Sequence, residues 1–348
     1  MNRFAILYTA FSIPILSFAQ DAPEKIDAAR EEQTRLQIFL DQQNFGPGKI
    51  DGKKGEFTDK ALERYRKAQG GAAPAEKAKP AKKDAGSEKL NVEGLDLAKV
   101  DPVFTEYSVT KGDTENIGEV PEKPAAQAKL KSMPYESVLE AVAEKFHSDV
   151  DFIKELNPGI SSELKEGDKV TVPNVEPFDL AAVKELKPGT GLDEAAPAAD
   201  EKKTEEDEDS STTKGVSIRV DVSANMLEVL KDKQIIAAFP VTPGSDSIPT
   251  PKGDWKVKGV AKMPDFRRDE KMLKEGVRGD DAHIIPPGPN NPVGVIWIAL
   301  NKEGIGIHGT NDPDTIGRAA SHGCIRLANW DAVKLAKLVK GGVPVTVE

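Results

Sequence analysis

Two stretches of this chain cannot bury a hydrophobic core, and their positions decide how the rest can fold. Gly70 to Lys89 is dominated by Ala, Lys, Pro and Glu, and Gly191 to Lys214 carries nine acidic residues against three Lys. Segments of such composition stay solvated instead of packing. The 348 residues are therefore expected to form separate modules strung on linkers. The modules read as 24–69, 104–176 and 216–348, with linkers at 70–103 and 177–215.

Charge follows the same division. Residues 216–348 hold 18 Lys and Arg against 16 Asp and Glu, so the 215 residues before them carry −12 of a net charge of −10. No basic face is evident, which argues against nucleic acid as a partner. A single Cys, Cys324, excludes an intramolecular disulfide framework and an all-Cys metal cluster. Gly304-Ile305-Gly306 is too short for a phosphate loop, and no flavin or metal motif stands out, so no cofactor is expected.

The first 19 residues have the form of an export signal. Met1-Asn2-Arg3 is positive, Phe4 to Leu16 is almost unbroken apolar sequence, and Ser17 and Ala19 place small residues at −3 and −1 of a cleavage point. The run is shorter than the ~20 residues a membrane span needs, and Pro14 interrupts it. The mature chain is expected to begin near Gln20 and to work in the periplasm or cell wall, with no stable membrane span after cleavage. No Cys follows the signal, which excludes a lipid anchor at that point.

In the first module, Leu36, Phe39 and Leu40 share one helix face, as do Ala61, Leu62 and Tyr65, with a turn-rich stretch from Phe45 to Gly52 between them. Thr58 is placed to cap the second helix. The second module opens on a short strand at Tyr107–Val109. Leu139, Val142, Ala143 and Phe146 mark one helix, and Asp149 is expected to cap another carrying Val150, Ile153 and Leu156. Asn157-Pro158-Gly159 stops it before a returning strand at Val170–Val172. A small strand–helix–helix–strand unit is predicted.

The third module switches to period two. Ile218, Val220 and Val222 alternate with polar residues, and a hairpin turns at Lys231-Asp232-Lys233. Further strands are expected at Gly253–Val257, Val295–Leu300, Gly304–His308 and Val343–Val347, with one helix from Asn329 that buries Ala332, Leu335, Ala336 and Val339. The prediction is a mostly-β domain of two packed sheets. The charged stretch from Lys262 to Asp281 breaks the β pattern and is expected to form a loop or lid.

Chemistry concentrates near the end, at Ile307-His308-Gly309-Thr310 and Ser321-His322-Gly323-Cys324-Ile325-Arg326. A thiol is a natural nucleophile for acyl transfer, but at an ordinary pKa of ~8.5 only a small fraction is thiolate near neutrality. An imidazole nearby can lower that pKa by ion pairing and take the proton. Gly323 permits a sharp turn that leaves amides facing an oxyanion. Either His308 or His322 could serve as the base on proximity alone. A buried, inert Cys and a zinc site built from His308, His322 and Cys324 are the competing readings of the same residues. His147 and His283 lack such company and read as surface or packing residues.

Three resemblances follow from these motifs. Leu36-Gln37, Ile50-Asp51-Gly52, Gly55 and Thr58-x-x-Ala61-Leu62 resemble a peptidoglycan-binding-like helical domain. Tyr107-x-Val109-x-x-Gly112-Asp113-Thr114, Leu156-Asn157-Pro158 and Gly167-Asp168-x-Val170-x-Val172-Pro173 resemble a lysin motif domain, interrupted here by Glu115 to Met133. His308-Gly309-Thr310, the Ser321–Arg326 motif and Pro286–Gly294 closely resemble the L,D-transpeptidase catalytic domain family. The fold class implied is multidomain: a small α-helical module, a small α/β (βααβ) lysin motif module and a mostly-β, sandwich-like catalytic domain.

The last resemblance implies an exported cysteine enzyme acting on a peptidoglycan tetrapeptide stem and inhibited by carbapenems. It implies Cys324 as nucleophile, His308 as base, the Gly309 carbonyl as its orienter, and the Gly323 and Cys324 amides as oxyanion hole. Arg326 would hold a substrate carboxylate, while Ser321 and His322 would line the site. The acceptor could be a second stem, forming a 3→3 cross-link, or water, or the Lys of a wall-attached protein. A non-catalytic peptidoglycan-binding scaffold is the alternative of another class.

Overall fold

The computed structural model describes residues 26–70, 92–190, 213–271, 279–318, 321 and 323–348. The expected signal peptide, the residues from 71 to 91 and from 191 to 212 in the two linkers, and His322 lie outside the described residues.

The first module is a pair of helices, α1 (Ala28–Gln42) and α2 (Glu56–Ala68). Asp27 caps α1 by accepting from the Arg30 amide at 2.7 Å. The residue before α2 is Gly55, which has no side chain with which to cap. Thr58 therefore lies inside the first turn, not at the cap. Its buried hydroxyl turns toward the Pro47 carbonyl at 3.5 Å, reaching across the loop. Gln37 holds that loop shut: its amide donates to Asp51 Oδ1 at 2.9 Å and its carbonyl accepts from the Gly52 amide at 2.9 Å.

In the second module β1 (Phe104–Ser108) leads into α3 (Lys111–Glu115), and the inserted segment contains α4 (Pro124–Gln127). Then come α5 (Val138–Lys145), α6 (Val150–Leu156) and β2 (Lys169–Pro173), which pairs antiparallel with β1. Ser137 and Asp149 cap α5 and α6 through their side chains. Asn157 ties α6 to β2, accepting from the Thr171 amide at 2.7 Å and donating to the Thr171 carbonyl at 2.7 Å.

The third module contains β3 (Val216–Asp221), β4 (Met226–Lys231), β5 (Gln234–Pro240), β6 (Gly253–Lys262), β7 (Phe266–Arg268), β8 (His283–Ile285), β9 (Ile296–Leu300), β10 (Gly306–His308), β11 (Ile325–Arg326), α7 (Asn329–Leu338) and β12 (Pro344–Val347). Instead of two separate sheets, one eight-stranded sheet runs in the order β11-β10-β9-β6-β12-β3-β4-β5. It curls at β6, whose first residues pair with β12 and whose later ones pair with β9 across a register shift between Val257 and Gly259. Such an irregularity bends a strand and lets one sheet wrap its own core. The charged stretch after Lys262 is not simply a loop, because β7 lies within it and pairs antiparallel with β8 just beyond it.

The modules do not hang separately. Arg64 of α2 donates to Glu228 of β4 at 3.0 Å, both side chains being buried. The Phe45 loop covers the edge of β5: the Gly46 amide donates to the Ala238 carbonyl at 2.7 Å, and the Ala238 amide to the Asn44 carbonyl at 3.0 Å. An edge strand left open would be free to pair with another chain. Residues placed in the linkers also bury apolar side chains. Val100 and Val103 join a core shared by the first two modules, and Phe178, Val183 and Leu186 pack into the catalytic core.

The same junction decides between the two readings of His147: it is a packing residue and not a surface one, and its packing includes a polar partner. It is 2% exposed, lies 3.1 Å from both carboxylate oxygens of Asp41 and stacks on Trp330, with ring centroids 5.4 Å apart. Lys334 of α7 adds an ion pair to Asp41 at 2.9 Å. One residue from each of the three modules thus meets in a buried polar node. Burial drives the His147 pKa down, toward the neutral imidazole. Asp41 is held well below the usual carboxylate range: its partners His147 and Lys334 outweigh the burial that pushes it up.

Asp331 behaves in the opposite way. It is 1% exposed, neither carboxylate oxygen has a hydrogen-bond partner, and burial pushes its pKa up to about 8. A folded-state pKa above the unfolded one means the native state binds the extra proton. Its contribution is fully present below about pH 4 and is lost as pH rises toward 8. Asp331→Asn should therefore melt at a higher temperature than the parent at pH 8, with the gap closing by pH 4. Thermal unfolding of both proteins across that range checks this, and a gap that does not depend on pH would contradict it.

Candidate active site

The motif residues converge where β10 and β11 run side by side. These strands pair in parallel, with His308 opposite Arg326 and Ile307 opposite Ile325. Ile307 and Ile325 are fully buried, which anchors both strands and turns the His308 and Arg326 positions to the other face. The Leu327 amide donates to the His308 carbonyl at 2.8 Å and closes the pair.

Cys324 lies in the turn just before β11. Gly323 has φ +94°, a conformation that costs a non-glycine residue. Ser321 pins the turn from the other side. Its hydroxyl donates to the Cys324 carbonyl, and its backbone bonds to Pro243 and Ser245. A Cβ added at Gly323 would meet Ile305, Ile248 and the Pro249 carbonyl at 3.5–3.8 Å, so those residues flank the turn that carries Cys324.

The His308 Nδ1–H donates to the Gly309 carbonyl at 2.6 Å, which leaves Nε2 as the basic nitrogen. Trp297, opposite His308 on β9, stacks on the imidazole with centroids 5.3 Å apart and planes 17° from parallel. Burial lowers the His308 pKa to about 4; the Gly309 bond opposes the shift and the Arg326 charge adds to it. Burial raises the Cys324 thiol, opposed by the Gly306 backbone and the Arg326 guanidinium. The thiol donates to the Gly304 carbonyl at 3.4 Å. Both shifts favour a thiol and a neutral imidazole over separated charges.

Gly309 is fixed from behind. Asn329, the fully buried first residue of α7, donates to Glu144 at 2.9 Å and accepts from the Val295 amide at 3.1 Å. Its carboxamide oxygen sits against Gly294 and Gly309 so closely that neither position has room for a Cβ. Glu144, on α5, also accepts from the Tyr135 hydroxyl, and burial raises its pKa to about 7 against those two hydrogen bonds. Sequence reading passed over Asn329, Glu144 and Trp297. Only the period-two alternation of β9, which places Trp297 across from His308, carried a hint. A cavity of about 220 Å³ opens beside this region, between Tyr135 and Glu144 of the second module and Asn290, Asp312 and Trp330 of the third. Neither Cys324 nor Arg326 lines it.

Residues 215–347 match the model of the L,D-transpeptidase catalytic domain. Over 133 residues the chain is 30% identical to YqjB of Bacillus subtilis (strain 168), named an L,D-transpeptidase, covering 37% of this chain and 68% of that protein. The chain belongs to the L,D-transpeptidase family. The YkuD proteins of Bacillus subtilis (strain 168) and Bacillus licheniformis, also named L,D-transpeptidases, are 30% and 29% identical to this family member over 130 residues. This L,D-transpeptidase homologue spans 64% of the length of each and 37% of its own. In both cases the similarity covers little more than a third of the chain, so it bears on the catalytic module. Among the described residues, no helix of this family member is long and apolar enough to cross a membrane, and no cluster of His, Cys, Asp and Glu is arranged to hold a metal ion.

Proposed function

We propose that the chain is an exported cysteine L,D-transpeptidase that joins peptidoglycan stems, with Cys324 as nucleophile and His308 as base. The observation that carries this reading is the orientation of His308: its Nδ1–H is committed to the Gly309 carbonyl, so Nε2 is available to take a proton. Attack begins when the thiol leaves Gly304 and gives its proton to Nε2. Sulfur adds to the carbonyl carbon of the third stem residue, and the amides of Gly323 and Cys324 receive the oxyanion. Collapse breaks the peptide bond, and the imidazolium protonates the departing D-Ala amine. The side-chain amine of a second stem then attacks the thioester, passes its proton to His308 and releases the thiolate. Thiol and neutral imidazole are thereby restored.

Arg326, half-buried and in register with His308, is positioned to take a stem carboxylate through its planar fork. Arg326→Lys keeps the charge beside Cys324 but loses the fork. We expect kcat/KM to fall roughly 10–100-fold, mostly through KM, as for loss of a charged hydrogen bond. Alkylation of Cys324 should stay within about threefold of the parent, because the neighbouring charge is kept. Equal losses in turnover and alkylation would remove Arg326 from substrate binding. The function itself is tested by incubating residues 20–348 with tetrapeptide muropeptides and resolving the products by mass spectrometry. Cross-linked dimers are the expected product. Tripeptides alone would make water the acceptor, and a stem linked to a protein Lys would make this an attachment enzyme.

A further inference from the structure

Glu144 belongs to the second module, 164 residues before His308, yet only two residues, Asn329 and Gly309, separate it from the imidazole. Its carboxylate accepts from the Asn329 carboxamide at 2.9 Å and, on the other oxygen, from the Tyr135 hydroxyl. A carboxylate can only accept, so it compels Asn329 to present its NH2 to α5 and its oxygen to the other side. That oxygen accepts from Val295 at 3.1 Å and packs on the backbone of Gly294 and Gly309. The Gly309 carbonyl in turn receives the His308 Nδ1–H at 2.6 Å. With Glu144 removed, the Asn329 NH2 would keep only a 3.3 Å bond to the Pro289 carbonyl. Only that bond and the one from the Val295 amide would then oppose reversal of its amide, which would set two donors against the Val295 amide and the Gly309 backbone.

We propose that Glu144 is a positioning residue for the catalytic His308, acting through Asn329 and the Gly309 backbone, so that the second module forms part of the catalytic apparatus. This rests on the proposed roles of His308 and Cys324. The module then does more than tether the enzyme to its polymer. The catalytic His reaches its working orientation only when the Glu144 carboxylate holds Asn329.

The test uses the full mature chain as parent, Glu144→Ala, Glu144→Asp, Glu144→Gln and, as a control for loosened docking, Asp41→Asn. Gln keeps an acceptor for Asn329, whereas Asp withdraws it by one methylene. In Glu144→Ala and Glu144→Asp, kcat on tetrapeptide muropeptides should fall about 10–100-fold with KM little changed, as for misplacement of a catalytic group by about 1 Å. Glu144→Gln should recover to within about threefold of the parent, because the acceptor is retained. A second readout needs no turnover: the His308 Nδ1 proton should give a protected, downfield NMR signal in the parent and Glu144→Gln, and exchange with solvent in Glu144→Ala. Should Glu144→Ala fail to fold, Glu144→Asp alone decides the point. Retained kcat and a retained Nδ1 signal in the folded Ala or Asp variant would overturn the proposal. So would Asp41→Asn reproducing both losses, since loosened docking would then explain them. A parent with no Cys324-dependent product would sink the transpeptidase reading instead, leaving the NMR comparison to judge the positioning.

Discussion

Cys324→Ala protein should yield no cross-linked and no trimmed product, a loss of at least about 1000-fold in kcat, because the proposed acyl intermediate forms on the Cys324 sulfur. His308→Gln should lose a comparable amount, for a different reason. The nucleophile would remain but nothing would accept its proton, since the thiol lies above its ordinary range and the imidazole, near 4, is neutral at working pH. These directions make a further claim about the resting enzyme. A preformed thiolate–imidazolium pair would be alkylated at a rate nearly independent of pH between its two pKa values. A neutral pair should instead be alkylated by iodoacetamide about tenfold faster for each pH unit from 6 to 8, following the thiolate fraction. A flat profile in the parent would reject the neutral pair. With a neutral resting pair, charge separation is confined to the bound complex, where the stem displaces water and the oxyanion amides offset the developing charge.

The second large effect lies away from the thiol. Removing the Asp41 carboxylate leaves His147 buried without its partner and the Lys334 ammonium without its ion pair, and Asp41→Ala should destabilise the chain by about 3–5 kcal/mol. For a chain of this size that is a fall in melting temperature of roughly 4–7 °C. The double variant Asp41→Ala/Lys334→Met should recover part of the loss, because a buried pair costs most when only one member is taken away. The pH signature is also specific. A depressed carboxylate pKa gives stability that is present above the unfolded value near 4 and lost as pH falls below it. The parent should therefore lose stability on acidification below pH 4 more steeply than Asp41→Ala. Parallel acid limbs in the two proteins would rule out this account of the node.

Asp41, His147 and Lys334 also explain why modules that read as beads pack as one body. Each of the three residues looks unremarkable within its own segment, and their neighbours in sequence say nothing of residues 106 and 293 positions distant from Asp41. The apolar pattern had the same blind spot. Val100, Phe178 and Leu186 are too sparse to mark an element, yet each fills a gap in a core built by others. The curl of the sheet was hidden for a related reason. Period-two alternation reports which residues of β6 face inward, but not that one strand serves two neighbours in succession.

What the sequence by itself determined was local. Turn residues stand at Gly323 and at the Asp232–Lys233 hairpin, whose two residues have positive φ; the helix cap of Asp149 can be read from spacing; and the His308-Gly309-Thr310 and Ser321–Arg326 motifs hold the residues proposed for acyl transfer. These signals are legible because backbone conformation and hydrogen-bonding groups a few residues apart act within a single turn. Only the tertiary structure decided the charge state of the Cys324 and His308 side chains, which burial sets. It also decided the support of Gly309 by Asn329 and Glu144, and the union of three modules around Asp41. Each of these depends on groups brought together from far along the chain, and on the water that their meeting excludes.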